Sequence, residues 1–247
     1  MVAAEMIAVV RPRDPAPGMG AAMGHVLVTG ATGGIGVALV DALVEAGHRV
    51  TAVGRDVGRL NVRGIEADLA EPATLAGAMG ARENAEALED LQALVHCAAI
   101  SPVAAVADAG PETWRRTLAV NVASAAELTR LALPALRRSR GHVIFVNAAP
   151  GTTGVARWSA FVGSKAALRE LADSVREEEA ASGVRVTTVY PGPTATDLLG
   201  EVRAAFGRPY DPELCIRPRT LAAMIVWVLA APPDAYTAEL SVVPSPR

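Results

Sequence analysis

The stretch HVLVTGATGGIGVALVDALVEAG, residues 25–47, does most to limit how this 247-residue chain can fold. A short run rich in Val and Leu ends at Gly30. Gly33, Gly34 and Gly36 follow at once, and apolar residues then recur at helical spacing as far as Gly47. The first part reads as a buried strand and the last as a helix closed by glycine. The same alternation continues down the chain. HRVTAVGR, ALVHCAA, GHVIFVNAA, VRVTTVYPG and AELSVVP read as strands. Between them lie helical patterns: Ala81 to Leu91, a long segment from Pro111 to Ser139 with a break or kink expected near Pro134, Ser159 to Ser182 closed by Gly183, and RTLAAMIVWVLAA. The strands are continuous apolar runs rather than alternating ones, which predicts a parallel sheet buried between two helical layers. With right-handed crossovers, that leaves a doubly wound, Rossmann-like α/β fold in a single domain. Residues 1–22, rich in Pro and Gly, read as a flexible extension ahead of a domain spanning residues 23–247.

Composition narrows the function. Half the residues are hydrophobic (51%) but only 4% are aromatic, so the core must be built mainly from Ala, Val and Leu. The net charge of −3 and the lack of a basic run remove the electrostatic footprint of nucleic-acid binding. No apolar run reaches the roughly 18–20 residues that span a bilayer, so no membrane partner is expected. Two cysteines, Cys97 and Cys215, predict no disulfide framework and fit a reducing cytoplasm. His25, His48, His96 and His142 stand at no metal-ligand spacing, and no metal site is expected.

The glycine stretch carries the first chemistry. TGATGGIG, Thr29 to Gly36, lies between the first strand and the first helix. Gly30 permits the tight turn, while Gly34 and Gly36 let backbone approach a pyrophosphate and let the helix pack on the sheet. Free N–H groups and the positive end of the helix dipole then face phosphate. With these residues the chain resembles the short-chain dehydrogenase/reductase family, whose T-G-x-x-x-G-x-G pattern is met by Thr29, Gly30, Gly34 and Gly36. Further matches follow in order across residues 24–243: ADL at Ala67–Leu69, HCAA at His96–Ala99, Asn121 in LAVNVAS, Lys165 in SAFVGSK, and YPGPTAT at Tyr190–Thr196.

The resemblance implies a nicotinamide cofactor held by Gly30, Thr32, Gly33, Gly34, Ile35 and Gly36. Asp68 and Leu69 would lie at the adenine, and Cys97, Ala98, Ala99, Lys165, Pro191, Gly192, Thr194 and Thr196 along the rest of the cofactor. Arg55, at the end of the second strand, suits a 2′-phosphate, because a guanidinium pairs with such an anion bidentately. NADP is therefore the expected cofactor. Family likeness also implies a homodimer or homotetramer and a small-molecule substrate. Thr152 to Ser159 and the segment Leu198 to Pro218, read as a mobile lid with apolar lining, are expected to touch that substrate.

The resemblance also exposes two departures. Asn121 and Lys165 match the family's catalytic asparagine and lysine. Four residues before Lys165, where the family has its tyrosine acid, stands Phe161; thirteen residues before that, where it has a serine, stands Ala148. Each differs from the family residue by one hydroxyl. Losing a general acid costs about 10²–10⁴ in rate, and losing an oxyanion donor about 10²–10³. Ser159 and Ser164 sit on other faces of the helix from Phe161, whereas Thr152 and Thr153 could supply a hydroxyl. Four readings follow. The chain reduces a carbonyl, imine or enone without the usual tyrosine; it performs non-redox chemistry such as dehydration, cyclisation or isomerisation; it is a non-catalytic partner subunit; or it is a deliberately disabled form of an ordinary family member.

Overall fold

The computed structural model describes residues 24–149, 154–232 and 234–246. The expected extension at residues 1–22 lies outside them. Seven parallel strands form one sheet: β1 (His25–Thr29), β2 (Arg49–Gly54), β3 (Arg63–Glu66), β4 (Leu91–His96), β5 (His142–Val146), β6 (Arg185–Pro191) and β7 (Glu239–Val242). Their order is β3-β2-β1-β4-β5-β6-β7. The chain winds outward in one direction from β1 and in the other from β4, so the crevice between the carboxyl ends of β1 and β4 is the switch point where such sheets bind ligands. β3 and its flanking turns have too few apolar residues to show in the sequence pattern.

β1, β2, β4, β5 and β6 are buried on both faces, which is why each reads as a largely unbroken apolar run, whereas the edge strands β3 and β7 are partly exposed. Val26 and Val28 pack toward α1 (Gly34–Glu45) and α7 (Pro218–Leu229), against Leu39, Leu43, Leu221 and Ile225. Leu27 faces the opposite layer. There Leu128 and Leu136 of α4 (Ser124–Ser139) and Leu168 of α5 (Ser159–Glu179) complete a second core. Three strand histidines are buried in this frame, and each ring Nε2 is hydrogen-bonded to a threonine hydroxyl: His25 to Thr51 at 2.8 Å, His96 to Thr129 at 2.9 Å and His142 to Thr187 at 2.7 Å. Burial holds them neutral, lowering His25 to about 4 and His96 and His142 to about 3.

Two helical expectations need correction. The alanine-rich stretch from Ala81 to Leu91 is not one helix. α2 spans Leu75–Gly80, a 3₁₀ segment covers Arg82–Ala87, and Leu91 already opens β4. The long segment after Pro111 does not break at Pro134. α3 (Pro111–Leu118) passes through a π-helical turn, Ala119–Ala123, into α4, which continues through Pro134. Arg130, whose carbonyl loses its partner to that proline, lies on the exposed face where water can replace it. The irregularity instead sits at Asn121, and single π turns of this kind are frequent at functional sites.

Candidate active site

The glycine loop is built by contact. Gly30 adopts φ +65, and a Cβ there would come within 2.6 Å of the Ala98 backbone. A Cβ on Gly36 would lie 2.0 Å from the Gly30 carbonyl, so helix α1 can start this close to the turn only without a side chain. Thr29 ties the two sides of the crevice together. Its hydroxyl accepts from the N–H groups of Cys97 (3.2 Å) and Ala98 (3.4 Å). The result is a cleft of about 440 Å³ at the switch point.

Most residues predicted for the cofactor meet there. Gly30, Thr32, Gly33, Gly34, Ile35 and Gly36 form one wall, with Arg55, Asp68 and Leu69 at one end. Cys97, Ala98, Ala99, Lys165, Pro191 and Thr196 line the other. Gly192 and Thr194 do not line it. The Gly192 N–H donates to Val242 at the sheet edge, and the Thr194 hydroxyl turns back onto the Gly192 carbonyl at 3.0 Å. Both shape the loop rather than the cleft.

Arg59, Arg116 and Asn147 are among the lining residues that were missed. Arg59, four residues after Arg55, donates from its guanidinium to the Thr32 carbonyl at 3.0 Å, bridging the β2 end to the glycine loop. Arg116 reaches the cleft from α3. Asn147, just after β5, donates to the Lys165 carbonyl at 3.1 Å and accepts from the Ala148 N–H at 2.9 Å, fixing α5 on the sheet. The repeated arginine in GRDVGR was the available signal for Arg59.

The reactive end centres on Lys165, which is 6% exposed. Its Nζ donates to the Val146 carbonyl at 2.9 Å and lies 5.8 Å from the centre of the Phe161 ring. No ion pair to a carboxylate is formed among the described residues. Desolvation lowers its pKa to about 8, opposed by the Cys97 thiol, itself pushed up to about 12 by burial. A further signal lay in the sequence. Of 23 basic residues, 22 are arginine, and Lys165 is the single lysine. Arginine can serve a solvated surface equally well, but it cannot shed its proton.

Asn121 is 1% exposed and fully engaged. Its Oδ1 accepts from the Ile100 N–H at 2.8 Å, while Nδ2 donates to the Ile100 carbonyl and to the Ser164 hydroxyl, both at 2.9 Å. Ser164 in turn donates to the Phe161 carbonyl at 2.6 Å, so its hydroxyl faces the helix interior, away from Phe161's ring. Asn121 and Ala148 lie beside the cleft without lining it. Phe161 lines it, and its ring stacks on Trp158 (4.6 Å, 21°). Thr152 and Thr153 fall outside the described residues. The segment expected as a lid carries a helix, α6 (Asp197–Ala205), and its far end is tied down where the Ile216 N–H donates to the Pro193 carbonyl.

Residues 24–206 match the family model for short chain dehydrogenases. The chain belongs to that family. A curated relative, 2,3-dihydro-2,3-dihydroxybenzoate dehydrogenase of Escherichia coli (strain K12), is 40% identical over 181 residues, covering 70% of this chain and 71% of the relative. Another, inactive 2-(S)-hydroxypropyl-CoM dehydrogenase 2 of Xanthobacter autotrophicus, is 31% identical over 204 residues, 78% of this chain and 86% of that one. Among solved structures, a short chain dehydrogenase from Burkholderia cenocepacia J2315 in complex with NADP is 26% identical. It superposes with a TM-score of 0.72 over 90% of this chain and 88% of that chain. This short chain dehydrogenase therefore has the oxidoreductase scaffold of its family, and its glycine cradle fits a nicotinamide dinucleotide. No helix among the described residues is long and apolar enough to cross a membrane.

Proposed function

We propose that this short chain dehydrogenase binds NADP(H) and reduces a carbonyl, imine or enone, with Lys165 rather than a tyrosine as the proton donor. The observation that carries this reading is the chain's single lysine, buried in the cleft beside an aromatic ring that has no hydroxyl. Arg55 and Arg59, both at the end of the cleft beyond the glycine loop, favour the 2′-phosphorylated cofactor, since two guanidiniums there match a dianion. Bound NADPH would supply the hydride. The chain's own work is then to hold the substrate and to deliver one proton to the oxygen or nitrogen that receives charge. Lys165, with its pKa lowered to about 8, is charged at neutral pH yet can release a proton at little cost. Phe161 excludes water from that transfer, and Asn147 holds α5 in register beneath it. For a ketone, the carbon gains hydride and the oxygen gains the Lys165 proton. The neutral amine then recovers a proton from solvent.

The test is NADPH oxidation across a panel of ketones, imines and enones, followed over pH. Turnover is expected on at least one class, level below about pH 8 and falling above it, and lost in Lys165→Arg. A bell or rise centred elsewhere, or an active Lys165→Arg, contradicts the assignment. A second reading, a nucleotide-binding partner subunit without turnover, is favoured by the Xanthobacter relative whose name records it as inactive. NADPH binding with no turnover on any substrate supports that alternative.

A further inference from the structure

Arg157 immediately precedes Trp158 and the start of α5. It adopts φ 64, in the left-handed region that a residue with a Cβ enters only under strain. Its carbonyl accepts from the Ala104 N–H at 2.8 Å, which fixes the distorted turn to the loop after β4. Its guanidinium sits 5.8 Å from the centre of the Phe206 ring. A second guanidinium, that of Arg208, approaches the same ring at 5.3 Å. Two guanidiniums without an ion-pair partner among the described residues thus converge on one aromatic ring, on a chain whose net charge is −3.

The ring they share is linked to the cleft through a chain of ring contacts. Phe206 meets Trp158 edge-on at 5.7 Å, Trp158 stacks on Phe161, and Phe161 stands beside Lys165. Leu198 of α6 and Phe161 of α5 line the cleft; Phe206 directly follows α6 and Trp158 directly precedes α5, and neither lines the cleft itself. The Trp158 indole N–H donates to the Ser101 hydroxyl at 2.8 Å, so its ring is held in place. An aromatic ring is a weak counterpart for a guanidinium compared with an oxyanion, which a guanidinium fork meets with two charge-assisted hydrogen bonds.

We infer that Arg157 and Arg208 form a binding site for an anionic head group, and that the substrate is a carboxylate, sulfonate or phosphate whose reducible group points inward along the Phe206–Trp158–Phe161 rings. This rests on the reductive reading of the cleft for the inward end of the substrate, but the anion site itself is testable without cofactor.

Calorimetric titration of the full chain with benzoate, benzenesulfonate and phenyl phosphate, against neutral benzamide, makes the test. At least one anion should bind about tenfold more tightly than benzamide, the worth of one good charge-assisted contact, and added salt should weaken it. Arg157→Gly suits the left-handed turn and removes the guanidinium. It should abolish that preference while leaving the melting temperature unchanged or raised, and Arg208→Gln should weaken the preference similarly. NADPH affinity should be unchanged in both. Equal binding of benzamide and all three anions, or a preference that survives both substitutions, would overturn the site. Failure of NADPH to bind the parent chain would instead remove the reductive reading and leave the anion result standing.

Discussion

The two ends of the cleft are maintained differently. At the glycine loop, residue identity is enforced by backbone contact: a single Cβ on Gly30 or Gly36 would collide with main chain, and Thr29 ties β1 to the end of β4. At the reactive end, the framework is equally complete. Asn121, Ser164, Asn147 and Lys165 are all hydrogen-bonded into place. Yet the two positions that the family resemblance gives to hydroxyls, Ala148 and Phe161, have none. The fold therefore fixes the framework at both ends, but fold alone does not say which group moves the proton.

Adding hydroxyls at these two positions should have the largest effect. Phe161→Tyr combined with Ala148→Ser is expected to raise the rate of ketone reduction by about 10²–10⁴, read as NADPH oxidation, because it supplies a general acid and an oxyanion donor that act as a unit. No gain would mean the reactive end differs by more than two hydroxyls. Breaking the other end comes next. Gly36→Ala forces a side chain into the Gly30 carbonyl, and NADPH affinity should fall about a hundredfold or more, with stability lowered by about 1–3 kcal/mol from overpacking.

A smaller change sharpens the assignment of the adenosine end. Arg59→Gln removes both a bridge to Thr32 and one guanidinium, and should weaken NADPH by about tenfold while changing NADH little. A further comparison separates scaffold from site by pH. His25, His96 and His142 have folded pKa values of about 4, 3 and 3, below the ordinary 6.5. The unfolded chain therefore takes up protons first. The stability these rings contribute is complete above about pH 6.5 and is lost as the pH falls toward 4, so the melting temperature should decline across that window. Activity, governed by Lys165, should decline in the opposite direction, above about pH 8.

Much of this was legible in the chain. Continuous apolar runs announced strands buried on both faces, and the placement of TGATGGIG between strand and helix announced the cleft. β3 escaped notice because RGIE has one buried apolar residue and is held by pairing with β2. The π turn around Asn121 was not legible, since a one-residue expansion of a helix leaves no mark in spacing this short. Pro134 misled because propensity places the break at the proline, whereas an exposed helix face tolerates it. Arg59 and Arg116 reach the cleft only through tertiary folding. The lone lysine among arginines was legible without any structure, and its burial gives that scarcity a chemical reason.

The most direct measurement is a fluorescence titration of the chain with NADPH and, separately, NADH. Micromolar binding of NADPH, tighter than that of NADH, is the predicted result, and it would establish a working cofactor cleft. Binding of neither nucleotide would contradict the account, because the contacts that make glycine obligatory in the loop would then serve no dinucleotide.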